Sequence, residues 1–153
     1  MTETAVLPSV SATRTHYRPT PRRIVGALWL TALLCYLYCD VLGFYDGGLL
    51  RQVLAGRVDG MSITPTFLLG AAGLMTIPTA MVLLVRVASH RVARWGTVVG
   101  GTVMTLVQLA SVLVGGVAPY YAYFSVLEVG ITSFLVVYAA RSWREEDARD
   151  ITG

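Results

Sequence analysis

The chain has 153 residues, 55% hydrophobic and only 14% charged, with a net charge of +3. Soluble domains carry about 25% charged residues, so the soluble enzyme classes lose most of their claim. All twelve basic residues are arginine and flank the apolar stretches instead of forming one patch, so no nucleic-acid partner is expected.

The first segment, 1–23, is rich in Thr, Ser, Pro and Arg and reads as disordered. Arg22 and Arg23 before an apolar run imitate a secretory signal, but no small-x-small cleavage site follows. The run is read as an uncleaved first span.

Four apolar stretches follow, at about 24–44, 64–87, 96–117 and 120–140. Each has the roughly 20 residues that a helix needs to cross a bilayer core about 30 Å thick. The expected fold is an all-α membrane protein, a four-transmembrane-helix bundle over 24–143, with the lipid bilayer as its first partner. Residues 144–153 form a mixed-sign tail.

Arginine placement sets the expected orientation. Arg14, Arg18, Arg22, Arg23, Arg86, Arg91, Arg94, Arg141, Arg144 and Arg149 fall on one side, against Arg51 and Arg57 on the other. The positive-inside rule then puts both termini in the cytoplasm of a multi-pass protein, expected in a prokaryotic cell membrane.

Span 1 starts after Pro21, well placed for a helix start. The loop after it is the longest of the outer side. Its piece from Asp46 to Gly56 predicts a short amphipathic helix capped by Asp46, with Leu49, Leu50, Val53 and Leu54 on one face. Two placements stay open, flat in the membrane surface or over the bundle mouth as a lid. Span 2 opens on Thr64-Pro65 and carries Pro78 inside, where a packing kink is expected. Span 3 opens with Gly96 and Gly100, a small-x-x-x-small pattern read as internal packing. Span 4 begins in an aromatic cluster, Tyr120, Tyr121, Tyr123 and Phe124.

Three polar groups stand inside the spans: Asp40, Gln108 and Glu128. A charge at the bilayer centre costs several kcal/mol, so such groups face protein or water. Glu128 lies roughly 12 Å below the outer end of span 4 at 1.5 Å per residue. Helical spacing aligns Tyr121, Ser125, Glu128 and Thr132 on span 4, and Gly101, Thr105, Gln108 and Ser111 on span 3. Tyr36 and Asp40 align on span 1. The candidate ligand pocket is therefore Asp40, Gln108, Glu128, Tyr36, Tyr121 and Ser125. No basic residue within a span pairs with Glu128, which leaves two readings: a hydrogen-bonded strut, or a site for a small molecule, ion or proton.

Cys35 and Cys39 stand at i, i+4 beside Asp40, a spacing that suits disulfide geometry poorly, and are read first as packing residues. His16 and His90 lie outside the spans, so no haem ligand pair is expected, and no zinc, phosphate-loop or dinucleotide pattern occurs. No cofactor, metal or catalytic residue is assigned.

The runs Tyr36-Leu-Tyr-Cys-Asp-Val-Leu-Gly43, Asp59-Gly-Met-Ser-Ile-Thr-Pro65 and Ile77-Pro-Thr-Ala-Met-Val-Leu-Leu84 resemble a family of small bacterial and archaeal four-span proteins. It is catalogued as domain of unknown function 6326, with a distant likeness to the DoxX group. The resemblance covers about 23–144. It implies an acidic residue closing span 1 (Asp40), a Gly-x-x-Ile-Thr-Pro start to span 2 (Gly60–Pro65) and a glutamate in span 4 (Glu128). The family often has an acidic residue just before the span 2 Ile-Pro, where this chain has Thr76. The DoxX likeness implies redox or sulfur-linked partners by analogy of fold alone. Three roles remain in play: a binding or transport protein, homo-oligomeric if it forms a path; an accessory subunit of a larger membrane complex; and a membrane thiol protein.

Overall fold

The computed structural model describes residues 20–114, 118–141 and 143. The polar segment before Thr20 and the tail beyond Trp143 lie outside the described residues.

Four long helices carry the fold: α1 (Pro21–Gly43), α3 (Pro65–Val87), α4 (His90–Val114) and α5 (Pro119–Arg141). All four are long and apolar enough to cross a membrane. Each spans about 35 Å at 1.5 Å per residue, slightly more than the hydrocarbon core. The short α2 (Gly47–Leu54) and a hairpin of β1 (Arg57–Val58) and β2 (Met61–Ser62) join α1 to α3.

Local chemistry sets these boundaries. Pro21 occupies the first turn of α1, and Pro65 that of α3, where the missing N–H loses nothing. Thr64 caps α3, its hydroxyl accepting from the Phe67 N–H at 3.1 Å. Asp46 caps α2 as expected, accepting from the N–H groups of Gly48 (2.8 Å) and Leu49 (3.3 Å). The hairpin turns at Asp59-Gly60, whose φ angles of 46° and 81° give the two left-handed positions of a type I′ turn.

The bundle closes in the order α1, α3, α4, α5, with each helix packed on two neighbours. One end bears α2 and the hairpin, with Arg51 and Arg57; the other, the arginine end, bears Arg22, Arg23, Arg86, Arg91, Arg94 and Arg141. The packed core lies toward the arginine end, around Trp29, Val25, Val85, Ala93, Leu135 and Ala139. Trp29 is fully buried and directs its indole N–H at the Thr97 hydroxyl, 3.4 Å away. Gly96 and Gly100 face α3: a Cβ on Gly96 would lie 3.2 Å from the Met81 sulfur, and one on Gly100 3.2 Å from Ile77. The small-residue pattern therefore packs inside the chain.

Two arginines tie the arginine end together. Arg22 of α1 donates to the Ala88 carbonyl (3.0 Å) just past the end of α3. Arg94 of α4 donates to the Ala139 (2.9 Å) and Ala140 (3.4 Å) carbonyls closing α5. Each cation meets carbonyls that lack a helical partner, at the negative end of the helix dipole. This explains one difference from the sequence expectation. The third span starts at His90, six residues before Gly96, because Arg94 satisfies its charge on the neighbouring helix and need not sit in a loop.

α3 runs as one helix through Pro78. Its buried residues, Pro78, Met81 and Val85, all lie in its second half. The first half, up to Gly73, is largely uncovered by protein.

Candidate functional site

The α4 and α5 helices meet along a polar seam. On α4 the seam residues are Gly101, Thr105, Gln108 and Ser111; on α5 they are Tyr121, Ser125, Glu128 and Thr132. Gly101 sets the approach, since a Cβ there would stand 2.8 Å from Val136 and 3.3 Å from the Thr132 backbone oxygen. Three side-chain rungs cross the seam. Thr105 and Thr132 share a bond of 2.7 Å, Gln108 donates its amide to the Ser125 hydroxyl at 2.8 Å, and Ser111 bonds the Tyr121 phenol. Ser125 also donates back to its own helix, to the Tyr121 carbonyl at 2.8 Å, as Ser111 does to the Gln108 carbonyl at 2.9 Å. Of Thr105 and Thr132, one donates across the seam and the other back to its helix.

Glu128 stands between two of these rungs. It is only 1% exposed, and its Oε1 has no hydrogen-bond partner. Tyr36 on α1 is 6% exposed, and its hydroxyl is also unpartnered. Unpaired buried polar groups are rare in folded proteins and call for a reason. Both side chains border one partly enclosed cavity of about 110 Å³. Gln108 and Tyr121 border it as well, and Asp40 borders it with an exposed side chain. Leu74 and Met75 of α3 with Met104 and Val107 of α4 supply an apolar wall. None of the lining residues is basic.

Of the six residues singled out in sequence, five line this cavity and Ser125 stands behind it, holding Gln108. Asp40 shares the cavity without being buried, because a helical stripe reports direction around the axis and not depth. Cys39 also lines the cavity, while Cys35 is only partly buried; both are free thiols. Met104 could have been found by its place one turn before Gln108. Leu74 and Met75 carried no polar signal. Among the described residues no group of three or more His, Cys, Asp or Glu is placed to hold a metal ion.

The profile of the family described as "Family of unknown function (DUF6326)" matches residues 16–149. The chain belongs to that family. No curated protein and no solved structure matches the chain, so the DoxX likeness gains no support. For this DUF6326 member the chemistry must be read from the cavity. Polar oxygens line it from α1, α4 and α5, hydrocarbon of α3 and α4 lines the rest, and the Glu128 carboxyl is buried there.

Proposed function

We propose that this membrane protein binds a small solute, ion or proton in the cavity at Glu128, with its arginine end in the cytoplasm. The observation that carries the reading is the buried, unpartnered carboxyl oxygen of Glu128 beside the unpartnered Tyr36 hydroxyl. A carboxyl kept only to join helices would have its bonds made within the bundle, as Gln108 and Thr132 do. The described arginines favour the orientation: Arg22, Arg23, Arg86, Arg91, Arg94 and Arg141 belong to one end, Arg51 and Arg57 to the other. Passage across the membrane requires a second copy, since four helices enclose little space.

The test is modification with dicyclohexylcarbodiimide, an apolar reagent for membrane carboxyls, followed by peptide mass mapping. An adduct at Glu128 supports an accessible pocket. Labelling of exposed carboxyls with Glu128 untouched would leave it a sealed strut and end the reading.

A second reading, an accessory subunit docking on a larger complex, is favoured by one feature. Gly70 and Gly73 on the uncovered half of α3 face open space. That reading expects a co-purifying membrane partner, lost on replacing Gly70 and Gly73 by leucine.

A further inference from the structure

The hydrogen bonds along the seam decide which way its polar groups point. Ser125 has one proton and donates it to the Tyr121 carbonyl. It can therefore only accept from Gln108, which must turn its NH2 toward Ser125. The Gln108 carbonyl oxygen is left as the free end of that amide. Ser111 likewise donates its proton to the Gln108 backbone carbonyl at 2.9 Å. The Tyr121 phenol must then donate to Ser111, which leaves the phenol oxygen able only to accept. Glu128 adds an unpartnered carboxyl oxygen, and Asp40 adds a second carboxyl at the margin. On α4 and α5 the free polar atoms that face the cavity are acceptors, the Tyr36 hydroxyl on α1 can both donate and accept, and among the lining residues no Lys, Arg or His supplies a charged donor.

Such a surface selects a ligand rich in donors and positively charged. The apolar part of the lining narrows the class. Leu74, Met75, Met104 and Val107 offer no oxygen to a metal ion but fit a short alkyl group. A single water needs about 10–15 Å³ of such space. The cavity, at about 110 Å³, thus has room for a molecule of several heavy atoms.

We propose that the cavity takes a small ammonium-type cation, a short primary amine or ammonium itself. Its N–H groups donate to Gln108, Tyr121 and Glu128, and its alkyl part lies against the α3 and α4 wall. The proposal rests on the binding reading above and names the ligand class of that site.

The experiment is thermal unfolding of the full chain in detergent at neutral pH. Ammonium, ethylammonium, tetramethylammonium and sodium chlorides are compared at equal ionic strength. Ligand that binds only the folded state raises the midpoint by mass action. Ethylammonium or ammonium is expected to raise it by at least about 3 °C over sodium, and tetramethylammonium, which has no N–H, is not. The gain is expected to vanish in Glu128→Gln. Equal midpoints in all four salts, or an equal gain with tetramethylammonium, would overturn the ammonium class. So would a gain that survives in Glu128→Gln. Carbodiimide labelling separates the two failures: an adduct at Glu128 with no ammonium effect leaves the pocket standing with another ligand, whereas no adduct removes both.

Discussion

Gly101→Ala and Gly73→Ala form a matched pair that tests how α4 and α5 are held together. Both replace a glycine inside a membrane helix, and both gain about 1 kcal/mol of helix propensity. At Gly73 a new Cβ meets nothing within 4 Å. At Gly101 it stands 2.8 Å from Val136 Cγ2 and 3.3 Å from the Thr132 oxygen. Valine in a helix has essentially one χ1 rotamer, and the oxygen is backbone, so neither can turn aside. Relief requires α5 to move off α4, which stretches the 2.7 Å Thr105–Thr132 rung one turn away. Overpacking of this kind costs about 1–3 kcal/mol. Because the propensity gain cancels between the two variants, Gly101→Ala should be less stable than Gly73→Ala by that amount. Reversible unfolding in mixed micelles, followed by circular dichroism, measures the difference. Equal stability of the two variants would refute the close α4–α5 approach.

Other substitutions probe the remaining contacts. Arg94→Ala removes the donors to the Ala139 and Ala140 carbonyls and should lower stability by about 1–2 kcal/mol in the same unfolding assay, the bond being partly buried. Thr105→Val breaks one seam rung and should cost less, about 0.6 kcal/mol, the average for such bonds between membrane helices. Glu128→Leu should leave stability unchanged or raise it by up to about 2 kcal/mol, since it removes a buried oxygen that bonds to nothing. A clear loss of stability in Glu128→Leu would instead mark the carboxyl as a strut.

The four spans were legible because length and apolarity suffice to define a membrane helix. The seam was legible for a similar reason. Residues three and four apart share a face, and that alone aligned Thr105, Gln108 and Ser111 against Tyr121, Ser125 and Thr132. Span ends were less so. Arg91 and Arg94 lower the local hydropathy and so conceal the first turns of α4, although Arg94 serves the adjacent helix. The hairpin escaped because its strands have two residues each, too few for an alternating pattern. Asp59-Gly60 was its one available signal. The apolar wall of the cavity escaped too, since Leu74 and Met75 look like any lipid-facing pair until α3 is set beside α1 and α4.

The central claim is that Glu128 sits in an accessible pocket and is not a neutral strut. Stability depends on pH wherever a group binds protons differently in the folded and unfolded states, and deleting that group deletes its share of the slope. Thermal midpoints of wild type and Glu128→Gln, measured side by side from about pH 4 to pH 9, therefore test the claim most directly. A pH-dependent step present in wild type and missing from the variant is expected. A wild-type midpoint that never levels off, and keeps falling relative to the variant all the way to pH 9 as a carboxyl sealed in its neutral form requires, would contradict the account and return Glu128 to the helix-joining role of its neighbours in the seam.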